Sequence, residues 1–554
     1  MNKLKKLTFT DGLLPVLLVL VGGFHEYIAC AASVAMCVYL FLRLRRGGEL
    51  LVRRDLTALA LGAVCLGYGI SCLWAVDPGM ALLGFVKFLP VGLYALCLWQ
   101  EQGKGQILAF LPAFGAVLAV LTAVGMQIPG LKSLLSVADR LAGTFQYPNT
   151  FALFLLVCEL LVLQKQQLKL WDYLILAALV GGLLYTGSRT VFVLFVLANV
   201  AAFFFGRQKK TRILLAVIAG CAVIVAAVIL LIWGKDSVLY RYLSISLTES
   251  TFVGRILYMV DALKLLLRHP FGMGYMGYYY SQSAVQTGLY AVTFVHNDFL
   301  QLLLDVGWIP GGLLIAAVAR QLLRKGVKLM RKLPLLVVSL HSLFDFDLQF
   351  IGMFCLLILL LDDPEGKTVR VKKWLPVCKG AAVVLAALSL YLGTAAGLSH
   401  FRQYEIADTL YPFHTQNKLA MLEQETDVKK AYDLALEILE QNDACYVPHS
   451  IRAKYAYSQG DFASLIESKN KVFRLNPFGY EEYEEYCVML INGIVLYERA
   501  GDTESVKICK MQLLETQALL ASNAERLSAL GKLIKDQPIT QLSQDVRYYI
   551  EQMG

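Results

Sequence analysis

A histidine in the segment TFVHNDFLQLL has the side chain best suited by type and position to acid–base chemistry. The chain has seven histidines in 554 residues, and His296 falls where a long polar stretch gives way to an apolar run. An imidazole accepts a proton near neutral pH, as a general base for a hydroxyl group must. A lone histidine at such a place also often caps a helix or lies at a membrane interface, so both interpretations stay open. Asn297 follows directly, and we expect it to support His296.

Four basic side chains lie in or beside apolar runs, where charge is costly. A charged group in the middle of a bilayer costs roughly 2.5–3.5 kcal/mol, and less at the end of a span. Arginine is suited to phosphate because its planar fork donates two hydrogen bonds at once. The four residues are therefore expected to bind an anionic lipid head group, plausibly a diphosphate, although ordinary anchoring to lipid phosphate is the alternative for each one alone. They are Arg140 in RLAGTFQYPNTFA, Arg189 in TGSRTVF, Arg255 in TFVGRILYMVDALKLLL, and Lys87 in an apolar run.

The segment HSLFDFDLQF adds His341, Asp345 and Asp347 beside another apolar run. The two aspartates have the D-x-D spacing of some metal sites, but their context is apolar, and a span-capping role is the preferred interpretation. The sequence has no H-E-x-x-H segment, no Cys/His cluster and no phosphate-binding loop of the Walker type. We therefore expect no metal and no cofactor, and ATP-driven chemistry is disfavoured.

Long apolar runs dominate the first two thirds of the chain. Apolar residues make up 57% of the composition and charged residues only 17%. About 20 apolar residues in a helix cross the hydrocarbon core of a membrane. The pattern predicts an all-α polytopic membrane protein with about 13 spans, two or more of them short. The runs lie near 12–24, 27–42, 55–74, 80–99, 106–126, 148–164, 171–186, 190–205, 211–233, 293–318, 333–347, 350–361 and 374–396.

Basic residues are distributed unequally between alternate loops, which predicts the orientation. With the N-terminus in the cytoplasm, the inner loops and N-terminus hold 25 Lys/Arg and the outer loops eight. Positive charge stays inside because its translocation is unfavourable. Two long loops, near 127–147 and 234–292, then lie outside, and thirteen spans place the C-terminus outside as well. The predicted location is the cytoplasmic (inner) membrane.

The composition changes near residue 398, which divides the chain into a membrane domain, 1–397, and a soluble helical domain, 398–554. The first carries 35 Lys/Arg against 19 Asp/Glu, and the second 16 against 23. In the second, amphipathic helical patterns alternate with Gly-Asp turns at 460–461 and 501–502. The first hairpin resembles a degenerate tetratricopeptide repeat. The soluble domain is expected to be either a plain α-hairpin array or a docking surface for a partner protein or a growing glycan.

Four segments together resemble the family of bacterial O-antigen ligases and O-antigen polymerases. They are RLAGTFQYPNTFA, TGSRTVFVLF, GRILYMVDALKLLLRHPFGMGY and FVHNDFLQLLLDVGWIPG, in this order. The resemblance covers roughly residues 1–365 and implies a GT-C-like helical glycosyltransferase that takes a glycan from undecaprenyl diphosphate, without a metal and with inversion. It assigns diphosphate binding to Arg189 and Arg255, and less securely to Arg140 and Lys87. His296 matches the family's base for the acceptor hydroxyl.

The expected partners are therefore an undecaprenyl-diphosphate-linked glycan donor, a glycan or lipid-glycan acceptor, membrane lipids and, through the repeats, a protein, but no nucleic acid. The motifs do not separate a ligase from a polymerase. Two other classes remain: a flippase for lipid-linked glycan, and a non-catalytic scaffold that presents the repeat domain. A flippase needs charges along a path through the membrane, whereas the four basic side chains are expected to gather at one face.

Overall fold

The protein is almost entirely helical in its computed structural model, which describes residues 7–101, 106–205, 220, 238–242, 249–362 and 366–553. The first nine helices are α1 (Phe9–Val19), α2 (Glu26–Gly47), α3 (Leu56–Ser71), α4 (Pro78–Gln100), α5 (Gln106–Gly125), α6 (Pro129–Leu135), α7 (Pro148–Leu163), α8 (Leu170–Tyr185) and α9 (Arg189–Phe205). The next seven are α10 (Ser250–Arg268), α11 (Gly277–Val285), α12 (Asp298–Val306), α13 (Trp308–Leu323), α14 (Leu329–His341), α15 (Ile351–Leu361) and α16 (Leu375–His400).

The membrane region is a bundle of apolar helices. Helices α2, α4, α5 and α16 are long and apolar enough to cross a membrane, and α1, α3, α7, α8, α9, α13 and α15 are shorter apolar helices. Each predicted apolar run overlaps at least one helix in the structure. The exception is 211–233, which lies outside the described residues except for residue 220. The predicted class, an all-α polytopic membrane protein, is confirmed.

Several helix starts follow from local sequence. Asp55 caps α3 and Asp77 caps α4, and each carboxylate accepts a hydrogen bond from a backbone N–H in the first turn. Pro78 then occupies the first position of α4, where its missing N–H is not needed. These caps fix where two packed spans enter the bundle.

One predicted span has a different form in the structure. The run at 293–318 is not one helix, because the chain breaks at Gly307 between α12 and α13. Gly307 has φ of 89°, and a Cβ atom there would lie 2.6 Å from the carbonyl carbon of Phe271. Only glycine combines this backbone conformation with so close an approach. The bend makes α12 a short, separate helix that begins two residues after His296.

The two ends of α4 show which parts of the chain share a face of the bundle. At the Gln100 end, the side-chain amide donates to the backbone oxygen of Leu51, in strand β1 (Leu50–Arg53). This strand pairs antiparallel with β4 (Thr368–Val371), in a second loop of the same face. The strands β2 (Ser136–Val137) and β3 (Arg140–Leu141) form a separate antiparallel pair. At the opposite end, Asp77 accepts a hydrogen bond of 2.9 Å from the side chain of Asn442, far along the chain.

The C-terminal helices form a set of antiparallel hairpins docked at the Asp77 end of the bundle. The Gly-Asp turns have the predicted form: Gly460 and Gly501 have φ of 72° and 73°, and Asp461 and Asp502 each cap the helix that follows. Helix α20 packs on α21 and α22 on α23. Their relation to tetratricopeptide repeats stays a prediction. The helices are α17 (Tyr404–Leu410), α18 (Thr415–Leu422), α19 (Val428–Gln441), α20 (Tyr446–Ser458), α21 (Phe462–Leu475), α22 (Tyr480–Ala500), α23 (Thr503–Ser522) and α24 (Gln544–Met553).

The predicted boundary at residues 397/398 falls within the last turn of α16, so that one continuous helix joins the two parts. Beyond this connection, the Tyr411 hydroxyl donates to the Gly79 backbone oxygen at 2.9 Å. A Cβ atom on Gly79 would lie 2.0 Å from the backbone oxygen of Phe413. The C-terminal helices therefore pack tightly on the start of α4, and the division into two domains stays a prediction.

The contact between Asn442 and Asp77 gives the first test. Both side chains are fully buried, and removing one partner leaves a buried polar group unsatisfied, which costs about 1–3 kcal/mol. We expect Asn442→Ala to lower the unfolding temperature of the purified protein, followed by circular dichroism. Gln424→Ala, at an exposed position, is the control. Equal unfolding temperatures for the two variants would contradict this docking contact.

Candidate functional site

A cavity of about 380 Å³ opens between the bundle and helix α10, and four guanidinium groups line it. Glu249 is the one carboxylate among its lining residues. Apolar side chains line much of the remainder, so that a charged wall faces an apolar one. The lining residues are Arg140, Asn149, Gly187, Arg189, Thr190, Val193, Leu194, Arg241, Glu249, Thr251, Phe252, Arg255, Leu340 and Phe344.

Two of these arginines are positioned by the tight turn between α8 and α9. Gly187, with φ of 61°, turns the chain, and Arg189 is the first residue of α9. The Arg140 Nε group, on strand β3 (Arg140–Leu141), donates to the Thr186 backbone oxygen at 2.7 Å. The Arg189 guanidinium pairs with Glu249, just before α10. The turn therefore holds Arg140 and Arg189 in the wall of the cavity.

Arg255 reaches the cavity from α10 and forms an ion pair with Asp345, its Nη2 lying 3.1 Å from Oδ2. This carboxylate is fully buried and has further donors. The Asn149 amide donates to Oδ2 at 2.8 Å, and the Tyr147 hydroxyl donates to Oδ1 at 2.7 Å. Arg140 joins the same network, because its Nη2 donates to the side-chain oxygen of Asn149 at 2.8 Å. Asp345 is therefore the centre to which these donors converge.

His296 lies on the other side of the same carboxylate. Its Nδ1 atom is 3.3 Å from Oδ1 of Asp345, and its side chain is 19% exposed. The backbone of His296 has φ of 57°, which L-residues other than asparagine, aspartate and histidine rarely adopt. Asn297 caps α12 by accepting a hydrogen bond of 3.0 Å from the Leu300 N–H. This cap fixes the chain directly after His296, and the supporting role of Asn297 stays a prediction.

The span-capping interpretation of the HSLFDFDLQF segment is not what the structure shows. His341, Asp345 and Asp347 are all buried between α14 and α15. The Nδ1 atom of His341 lies 2.5 Å from Asp347, and the Thr150 hydroxyl donates to Asp347 at 2.7 Å. Buried charges need partners, and these residues find them in one another and in Arg255. The sequence did contain a signal for a role beyond capping: two aspartates in an apolar segment are costly to bury unless they have partners.

Lys87 is not brought to the arginines. Its Nζ atom lies 3.3 Å from a carboxylate oxygen of Glu26 and 2.9 Å from the Tyr275 hydroxyl, and its side chain is only 1% exposed. The Phe294 ring lies between this cluster and Phe346, which contacts the His296 ring. The structure gives Lys87 an ion pair inside the bundle and not a place in the cavity wall.

A family comparison bears on the same region. The model described as O-Antigen ligase matches residues 174–316, and no curated protein matches the chain. Residues 174–316 are therefore similar to the O-antigen ligase family. The matched range contains Arg189, Arg255 and His296. Arg140 and Asp345 lie outside it, although they complete the same network. Together with the apolar helices, this match supports a membrane protein that takes part in O-antigen ligase-like glycan processing.

The charges that line the cavity favour an anion. Burial and the nearby Arg241 lower the pKa of Arg140 to about 10, so its guanidinium stays charged at neutral pH. Burial opposes the charge on Arg255, but Asp345 together with Tyr147 and Asp347 outweighs it, and the pKa of Arg255 is raised. Arg241, which sequence reasoning did not single out, donates to the Gly187 backbone oxygen. Among the described residues no group of three or more His, Cys, Asp or Glu side chains is arranged to hold a metal ion.

Binding of inorganic pyrophosphate tests the cavity without reference to catalysis. We expect Arg189→Ala to weaken this binding about tenfold, the effect of losing one charge-assisted hydrogen bond, as measured by calorimetry on the purified protein. Binding to the unsubstituted protein should weaken as salt is added. Arg268→Ala is the control, because Arg268 is exposed at the far end of α10. Equal affinities for the two variants would refute the cavity as an anion site.

Proposed function

We propose that the protein transfers or polymerises an undecaprenyl-diphosphate-linked oligosaccharide at the outer face of the cytoplasmic membrane, in the assembly of surface polysaccharide. The observation that carries the proposal is the convergence of Arg255 and His296 on the single carboxylate of Asp345. One of these groups is suited to a leaving diphosphate and the other to an attacking hydroxyl. The acceptor is a second glycan or a lipid-linked glycan.

The donor occupies the arginine-lined cavity in this proposal. Its diphosphate displaces Glu249 from Arg189 and contacts Arg255, since both line the same cavity. The lipid chain extends along the apolar side of the cavity, where Val193 and Phe344 lie. Fixed guanidinium groups stabilise the negative charge that grows on the diphosphate as the glycosidic bond breaks. The mechanism therefore assigns charge neutralisation to arginines and needs no metal ion.

His296 acts on the acceptor. A neutral imidazole whose Nδ1–H faces Asp345 has its lone pair on Nε2, which is the atom that accepts a proton. The acceptor oxygen attacks the anomeric carbon, its proton passes to Nε2, and the bond from that carbon to the diphosphate oxygen breaks. Lipid diphosphate leaves. His296 and Arg255 contact different oxygens of the Asp345 carboxylate, and the proposal is a single displacement with inversion.

The side of the membrane follows from charge. The loops next to β1 and β4 carry many of the basic residues, which favours the cytoplasm for that end of the bundle. The site lies in loops that alternate with these, so the proposal puts it outside, together with the C-terminal helices. The C-terminal helices contain three free cysteines, and an oxidising exterior disfavours free thiols. Cys445, Cys487 and Cys509 are all buried, and burial shields them from oxidants.

Substitution of His296 tests the activity. We expect His296→Ala to abolish glycan transfer by the purified protein in a chelator-containing buffer, since general-base catalysis contributes about 10²–10⁴-fold. His269→Ala is the matched control, because His269 lies in the same loop at the end of α10. In cells, the lipid-linked donor should accumulate at the outer face while surface glycan disappears.

Other outcomes of the same experiment favour the competing functions. Donor that accumulates at the cytoplasmic face would identify a flippase. Unchanged surface glycan in His296→Ala cells would favour a non-catalytic scaffold. Loss of transfer by the unsubstituted protein in the chelator would refute the metal-independent mechanism.

A further inference from the structure

An arm of the C-terminal helices reaches back to the loop region that carries the site. Between α23 and α24 the chain leaves its own hairpins, and residues 526–535, which we call the docking arm, cross to the membrane region. The Ser528 N–H donates to the Thr287 backbone oxygen at 3.0 Å. The Lys535 N–H donates to the Ser250 hydroxyl, in the first turn of α10, at 2.8 Å. The arm therefore contacts both α10 and the loop after α11.

An apolar contact lies between these two hydrogen bonds. Ile534 of the arm packs with Val253 and Leu257 of α10 and with Tyr290 in a separate small cluster. Ile534 is 9% exposed, although the adjacent Leu533 is 59% exposed. The arm thus inserts one side chain into an apolar patch on α10 and leaves its neighbour in solvent.

The backbone of the arm lies very close to the loop. A Cβ atom on Gly531 would be 2.0 Å from the backbone oxygen of Thr287, and one on Gly288 would be 2.8 Å from the Gly531 Cα. Two glycines are needed for this approach. The Arg526 guanidinium also donates to the Ala284 backbone oxygen at 3.2 Å. The arm is therefore fitted to this loop along its length.

The face of α10 that the arm covers lies opposite the site. Val253 and Leu257 are four residues apart and share one face of the helix. Arg255 is two residues from each, which is about 200° around the axis. The loop is itself tied to α10, because Thr287 and Tyr290 both donate hydrogen bonds to Asp261. The arm and Asp345 therefore contact opposite faces of α10.

We propose that the docking arm is a positioning element of the transferase: it holds α10 so that Arg255 stays paired with Asp345 beside His296. This rests on the proposed function and deepens it, because it makes the C-terminal helices part of the machinery for the diphosphate. The arm touches no reacting atom. It acts through the helix that carries Arg255.

The neighbours Ile534 and Leu533 provide a matched pair of variants. Ile534→Asp puts a charge into the apolar contact, whereas Leu533→Asp puts the same charge into solvent. With the full-length protein in nanodiscs, we expect Ile534→Asp alone to raise hydrogen exchange in residues 250–268. We also expect it to lower kcat/KM for the undecaprenyl-diphosphate-linked donor about 10- to 100-fold, the effect of misplacing a catalytic group. KM for the acceptor should not change. The conservative variant Ile534→Val should transfer glycan as the unsubstituted protein does.

Each other outcome has a definite meaning. Unchanged exchange in Ile534→Asp would show that the arm does not hold α10. Raised exchange with full transfer activity would show that it holds α10 but does not position the site. Both results overturn the proposal. If the unsubstituted protein transfers no glycan, the proposed function fails instead, and the exchange data still decide whether the arm holds the helix.

Discussion

The site depends on one buried carboxylate. Asp345 is fully buried between α14 and α15, and such a charge is costly unless cations and hydrogen-bond donors surround it. Arg255 and His296 meet that need from one loop region, and Tyr147 and Asn149 meet it from another. The same contacts that satisfy the carboxylate therefore bring a group suited to binding phosphate and a group suited to act as a base to one place. One set of contacts thus both stabilises the buried turn and sets the geometry of the site.

The helices that frame this turn leave the site accessible from one side. The cavity lies between the start of α9 and α10, so that fixed guanidinium groups face a space with an apolar wall. A lipid-linked anion needs both surfaces, because its head group is charged and its tail is not. The C-terminal helices close around the same end of the bundle, through Asn442 at α4 and through the docking arm at α10. Two distant parts of the chain thus brace the helices around the site.

Periodicity and residue type predicted the helical class and almost every apolar helix. They also singled out Arg189 and Arg255, which line one cavity, and His296, which shares Asp345 with Arg255. They did not predict the partners. Asp345 is 90 residues from Arg255 in the chain, and a single sequence does not show which of its distant charges meet. Lys87 has the same chemistry as the arginines, but its partner, Glu26, is 61 residues away inside the bundle. The break at Gly307 was missed because both flanking segments are apolar.

The central claim is that Asp345 and His296 act as a unit, and a double-mutant cycle tests it most directly. Rates of glycan transfer would be compared for Asp345→Asn, His296→Gln and the double variant. If the carboxylate acts by orienting the imidazole, the second substitution costs little once the first is made, and the effects are strongly non-additive. Independent effects, in which the double variant loses the product of the two single losses, would contradict the account.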